Sequence, residues 1–550
     1  MKIINQEMKI GKYQELVDKR LNYWKNINFS RRFQSKDSTL WSPILLSEIR
    51  NNLGWLDLPE MMQDELEPIT KFAQEVKGEG IKHVVLLGMG GSSLAPFVFQ
   101  KTFLNAPGYP KLIVLDSTHP ESIRSVEDKI DIQDAIFIVS SKSGTTLETL
   151  SLFKYFWKKV SHISNKQGHY FVCITDPGTP LADLAKIRNF RAVFSSPADV
   201  GGRYSALSVF GMLPAALIGI NIHELMKRAK ETAKDVLDPP EDKSSGFILG
   251  AVLGELANFR DKLTFITSKS LNSFPDWIEQ LIAESTGKDR KGILPVVREP
   301  LLEIDSYEKN RLFVFILLNE DENSRLERCQ REFEDAGIPV IRIDMKDRND
   351  LSREIFRWEV AVAAAGAALE LNPFDQPDVD LTKQFTKKFM EEEGEEKQQQ
   401  EIDKETIFVE NAELALRGWA FGAKKGDYLA VQAYLSYDSE IDNALKKVRL
   451  ELLKRFGLAT TLGYGPRFLH STGQLHKGGE NNGLFLQLVD EPQIELPVPE
   501  TNFSFKCLIK TQSLGDFKAL RKRGRRILRI NLGRDAEAGL KTLAGYISNI

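Results

Sequence analysis

Cysteine is scarce. Cys173, Cys329 and Cys507 are the only three in 550 residues, and they lie far apart. That spacing excludes a thiolate metal cluster and a disulfide framework, and it fits a reducing compartment. Cys173 falls in the apolar run "YFVCIT" and reads as a buried strand residue. Long hydrophobic runs are also missing. The longest, "ALSVFGMLPAALIGI" from Ala206 to Ile220, contains a proline and is shorter than the roughly 20 residues that span a bilayer. It reads as a buried helix, so no membrane partner is expected. The opening "MKIINQEMKIGKYQ" has no apolar core of signal-peptide length, and the expectation is a cytoplasmic protein. A dominant charge is lacking too: 74 basic against 77 acidic residues leave a net −3, which gives no global pull toward nucleic acid or anionic membrane.

What is present is an ordinary globular composition, 42% hydrophobic and 27% charged, with length for about three or four domains. Short apolar runs alternate with helical stretches: "HVVLLGMG", "KLIVLDS", "AIFIVSS" and "YFVCITD". Continuous apolar strands between helices imply a parallel sheet covered on both faces. The spacing predicts an α/β domain over residues 60–220. A second follows over 221–390, with "LTFITSK", "RLFVFILLN" and "IPVIRIDM". Residues 391–405 read as an acidic linker around "EEEGEEKQQQEIDK", Glu391 to Lys404. A C-terminal mixed α/β unit fills 406–550, and residues 1–59 read as a helical segment packed on the rest.

Five stretches carry chemistry. "FIVSSKSGTTLETL" ends an apolar strand in hydroxyls, then resumes at helical spacing. A helix N-terminus with Ser, Thr and Lys142 can hold an anion, most commonly a phosphate. The Walker spacing is absent, which favours a small phosphate ester over a nucleotide. Taken alone, the stretch serves equally as an ordinary capped corner. "LLGMGGSSLAP" follows another strand, and its glycines allow close approach of a ligand; it lacks the dinucleotide fingerprint. "DVGGRYSALS" puts Arg203 after two glycines, suited either to an oxyanion or to a surface ion pair. In "WIEQLIAESTGK", Gln280 and Glu284 stand four apart and share a helix face. Glu284 there is either a base or a solvated glutamate. "NPFDQPDVDLTKQ" leads into a helix carrying Lys383.

Taken together, in their order along the chain, the five stretches resemble the glucose-6-phosphate isomerase family, built from two sugar-isomerase (SIS) domains. The likeness covers about residues 60–390. It implies two doubly wound parallel-sheet SIS domains and no metal or organic cofactor. By position, Gly91 and Ser92 would contact the sugar, and Ser141, Lys142, Ser143 and Thr146 the phosphate. Gln280 and Gln376 would line the site. Arg203 would stabilise the intermediate, Glu284 would be the base and Lys383 would help open the ring. The implied reaction interconverts glucose 6-phosphate and fructose 6-phosphate through an enediol, with the hexose 6-phosphate as partner and a homodimer as the family's usual assembly.

One departure concerns histidine. The family places a ring-opening histidine between the glutamate and lysine motifs, but this chain has none between His223 and His470. "YGPRFLHSTGQLHKGG" in the third unit offers His476 as the replacement, with His470 in reserve. That unit, and the early "DSTLWSP…IRNNLGWLD", are similar to isomerases fused to transaldolase; the chain is too short to hold a transaldolase barrel as well. Two rival readings remain. A non-catalytic SIS sensor of sugar phosphates would lack the glutamate motif. Nucleic-acid binding would use the basic run Lys518 to Arg529, which reads better as a solvated helix face or subunit contact before an apolar strand.

Overall fold

In the computed structural model, residues 1–3, 5–43, 47–379, 381–382, 384–386 and 404–550 are described. Three sheets organise the chain. The first runs Lys111–Leu115, His83–Leu87, Ala135–Ser140, Phe171–Thr175, Ala192–Ser195 in space, all parallel. Alternate side chains along these strands enter two separate cores. Val84, Leu86, Ile136 and Ile138 join the main one. Val85, Leu87, Phe137 and Val139 meet the helix Leu147–Ser161 through Leu152, Phe153 and Phe156. That double burial is why the strands read as unbroken apolar runs rather than alternating ones.

The strand order matters for function. His83–Leu87 has its successor on one side and Ala135–Ser140 on the other. The chain therefore reverses direction across the sheet between these two strands, and the loops at their carboxyl ends diverge into a crevice. Those loops are Gly88–Ser93 and Ser141–Thr146, the two corners singled out in the sequence. Ser140 Oγ donates to the Ser92 carbonyl at 3.2 Å and fixes one against the other.

The second sheet holds Val340–Met345, Arg311–Leu318, Lys262–Thr267 and Leu294–Val296 in parallel. Gln6–Lys9 adds an antiparallel strand beside Val340–Met345, with Lys2–Ile3 paired to it at the edge, so the N-terminal segment begins extended before it turns helical at Gln14–Asn26. Gln6 and Met8 point inward, a period of two too short to stand out in the sequence. Helix Ser245–Leu256 lies against helix Leu351–Ala368 so closely that a methyl at Gly250 would strike Ala364. The run Ala206–Ile220 contains the helix Val209–Leu217, buried along its whole length.

The third sheet is wholly parallel: Ile407–Phe408, Arg526–Asn531, Gly483–Val489, Tyr428–Tyr434, Ala459–Tyr464. One face covers its own helices. The other packs Tyr428, Ala430 and Phe485 onto Ala283, Leu294 and Leu475, beside the Glu284 helix. The basic run Lys518–Arg529 is split between the helix Phe505–Lys522 and the strand Arg526–Asn531, and Arg525 and Arg529 are buried. Most of the acidic linker, residues 391–403, lies outside the described residues. Among the described residues no helix is long and apolar enough to cross a membrane.

A buried histidine ties the first unit to the third. The His119 side chain is 1% exposed, with Nε2 3.0 Å from Asp490 Oδ1 and Nδ1 3.0 Å from Glu121 Oε2. Burial works against its charge, but Asp490 and then Glu121 outweigh it and raise the pKa to about 9. The folded value lies above the unfolded one, about 6.5. The stabilisation is therefore complete below pH ~6.5 and is lost as pH rises through about 9. We expect stability to fall by about 3 kcal/mol over that window, and His119→Gln to flatten this part of the profile. Equal slopes for both proteins in thermal melts across the window would refute the tie.

Candidate active site

A cavity of about 770 Å³ opens at the crevice between the two loops of the first sheet. Its first wall is backbone. Gly91 and Ser92 line it, and Gly91 has to be glycine because a Cβ there would collide with the Gly202 carbonyl.

The second wall is the N-terminus of the helix Leu147–Ser161. Lys142, Ser143, Thr145 and Thr146 line the cavity. Thr146 is the N-cap residue but makes no side-chain capping bond; its hydroxyl instead pairs with Ser141 Oγ at 2.9 Å. The helix therefore keeps its first N–H groups and its positive dipole end for an external acceptor. Ser141 is buried behind the corner and does not line the cavity. Lys142 is already paired with Asp176, Nζ to Oδ2 at 2.6 Å, so it contributes a shared charge.

The third wall joins the first and second units through Arg203, on the turn Gly202–Tyr204. Arg203 is 4% exposed. Its Nη1 donates to Gln376 Oε1 at 2.9 Å and to Glu284 Oε2 at 3.3 Å. Its Nη2 donates to the Pro373 and Asp375 carbonyls, each at 2.8 Å. Glu284 sits in the last turn of the helix Phe274–Thr286. Burial raises its pKa, with Arg203 and His470 opposing the rise. Gln280, one turn earlier on the same face, donates to the His470 carbonyl at 2.7 Å. The sequence thus names Gly91, Ser92, Lys142, Ser143, Thr146, Arg203, Gln280, Glu284 and Gln376 among the residues that line one cavity. Lys383 lies outside the described residues.

The structure places the two candidate histidines differently. His476 is buried and does not line the cavity. It lies on the short helix Gly473–Gly478 against the rings of Tyr428, Phe468 and Phe485. Burial drives its pKa well below the usual value, and Lys477 and Arg525 add to that. The glycines that suggested a flexible loop serve close packing: a Cβ on Gly478 would meet Asp378 and the Gly287 carbonyl. His470 lines the cavity instead, with Nε2 3.2 Å from Glu148 Oε1. Glu148 also accepts from Gln512 Nε2 at 2.7 Å. Glu148, Gln512 and Lys477 line the cavity without having been singled out. Glu148 had a signal, since it occupies the first turn of a helix whose N-terminus faces the cavity, where a carboxylate opposes the binding of an anion unless it serves another group.

A family model described as phosphoglucose isomerase matches residues 61–294, from the first sheet through the glutamate helix. Over those residues the chain is similar to phosphoglucose isomerases. A glucose-6-phosphate isomerase of Methanocaldococcus jannaschii is 28% identical over 346 residues, 56% of this chain and 84% of the relative. One of Campylobacter jejuni is 25% identical over 379 residues, 62% of this chain and 92% of the relative. Among solved structures, a hypothetical protein of Thermus thermophilus aligns with a TM-score of 0.60 at 25% identity, over 70% of this chain and all of that one. A glucose-6-phosphate isomerase of Chlamydia trachomatis shares the fold, with a TM-score of 0.55 at 17% identity over 67% of this chain and 85% of that one. The match to the phosphoglucose isomerase model ends before the third sheet, which carries His470 on its loops.

Arg203 holds down the pKa of Glu284, so its removal has a signed consequence. Arg203→Gln should move the acid limb of kcat/KM to higher pH, because the buried carboxylate loses its nearest cation. An acid limb that stays put, or moves to lower pH, would break this link.

Proposed function

We propose that the cavity interconverts glucose 6-phosphate and fructose 6-phosphate by moving one proton between C2 and C1. The observation that carries this reading is the buried Glu284–Arg203 pair on a cavity that also presents an uncapped helix N-terminus. The helix end, with Ser143 and Thr146, holds the phosphate at the far end of an open-chain sugar. Binding energy there orients the reacting carbons.

Glu284 takes the proton from C2 of the aldose and returns it to C1; one carboxylate serves both because the carbons are adjacent. Its raised pKa makes it a stronger base than a solvated glutamate. As the proton leaves, negative charge gathers on the sugar oxygen, and the Arg203 guanidinium stabilises it. Ring opening precedes this step and needs a group that exchanges protons with the ring oxygen near neutrality. His470 is the imidazole on the cavity wall, and Glu148 orients it. Lys383 keeps its proposed part in ring opening.

The same reading carries the finer expectations of a cytoplasmic location, a homodimer and kinship of the C-terminal unit with the isomerase part of transaldolase fusions. Domain limits near residues 60, 220, 390 and 406 remain part of it.

The test is a coupled isomerase assay with two variants. Glu284→Gln should lower turnover by about 10²–10⁴-fold while sugar-phosphate binding persists; near-wild-type turnover would sink the assignment. His470→Ala should lose activity on cyclic substrate yet still exchange the C1–C2 proton of an acyclic analogue. His476→Ala showing that split in its place would return the role to His476.

A further inference from the structure

A second cavity, of about 690 Å³, shares Lys477 with the first. Its charged walls are Arg290, Lys522, Arg523 and Arg525 against Asp289 and Asp378. The acids do not balance the bases. Asp378 is bound by Arg523 through Oδ1 and by Gln474 Nε2 through Oδ2 at 2.9 Å. Lys477 is used by Asp516, 2.6 Å away. Among the described residues, Arg290, Lys522 and Arg525 have no carboxylate within ion-pair distance.

Arg525 is the most telling of the three. It is 8% exposed. Its Nη2 donates to the carbonyls of Lys477 and Gly479, both at 2.6 Å, and its Nε is buried without a partner. Burial lowers its pKa, and Arg523 and Arg290 add to the lowering. A buried guanidinium with a spare N–H beside two more cations is a poor structural choice unless an anion completes it. Guanidinium forks match phosphate oxygens, and several converging on one concavity favour a compact polyanion over an extended strand. The volume is that of a small-molecule site.

We propose that this cavity binds a small phosphorylated metabolite and that its occupancy lowers turnover in the first cavity. The route is short. Asp378 follows Gln376 by two residues, and Gln376 holds Arg203. Arg290 closes the segment after Glu284 through its N–H to the Gly478 carbonyl at 2.9 Å. An anion draws Arg523 off Asp378, which leaves that buried carboxylate unpaired and loosens the turn that positions Gln376.

Inorganic pyrophosphate is the probe, titrated calorimetrically into the full chain, a measurement independent of isomerase activity. Wild type should show two sites. Ser143→Ala/Thr146→Ala should weaken one of them. Arg290→Ala/Lys522→Ala, at exposed side chains, should weaken the other about tenfold or more, equivalent to ~1.4 kcal/mol. In steady-state kinetics, pyrophosphate should lower kcat in wild type, and Arg290→Ala/Lys522→Ala should abolish that effect while basal turnover stays unchanged. A single site lost with Ser143→Ala/Thr146→Ala, or wild-type binding by Arg290→Ala/Lys522→Ala, would overturn the second site. Two sites without any change in kcat would overturn the coupling. Tight binding of an oligonucleotide that pyrophosphate cannot displace would overturn the small-molecule assignment.

Discussion

The site depends on one buried cation. Arg203 reaches from a turn of the first unit to the Glu284 carboxylate of the second, to the Gln376 side chain and to two carbonyls of the segment Pro373–Asp375. Every hydrogen bond of its two Nη groups crosses between chain segments distant in sequence. A guanidinium suits this because its N–H groups point in fixed directions, so satisfying them sets the relative position of the partners. The arrangement costs desolvation, which is offset only while all four acceptors are in place. The cation proposed to stabilise charge in the reaction thus also holds the two units in register.

A second constraint is topological. Because the first sheet reverses its strand order between His83–Leu87 and Ala135–Ser140, both loops that face the cavity start from adjacent strand ends. No loop has to be long to reach the ligand. The glycine loop presents backbone to the cavity and the hydroxyl loop presents a helix end, so the grip proposed for these loops draws largely on main-chain groups. Side chains with directed chemistry come from elsewhere: Glu284 from a helix of the second unit, and His470 and Gln512 from the third.

That division explains what the sequence disclosed. Glycine turns and hydroxyl-rich helix starts have a strong local signature, and the Gly88–Ser92 and Ser141–Thr146 corners were legible for that reason. Glu284 and Gln280 were legible through helical spacing, since i and i+4 share a face whatever the fold. The three α/β units followed from alternating apolar runs. His470 and His476 were not separable this way. They stand six positions apart in one glycine-rich stretch, and only tertiary packing turns His476 into the aromatic core and leaves His470 on the cavity. The extended start at Gln6–Lys9 was hidden likewise, because a strand of four residues borrows its stability from the sheet it joins.

The third sheet has a consequence for how the protein comes into being. Leu469, His470, Lys477, Phe503 and Gln512 all line the cavity, and all are translated after the sheets that bear the glycine loop, the hydroxyl loop and Glu284. A chain emerging from the ribosome therefore acquires the first walls of its cavity early and the closing wall late. Throughout that interval the exposed side of the Glu284 helix awaits Tyr428, Ala430 and Phe485. Completion of the cavity and burial of that apolar face are thus one event, which waits for the third sheet.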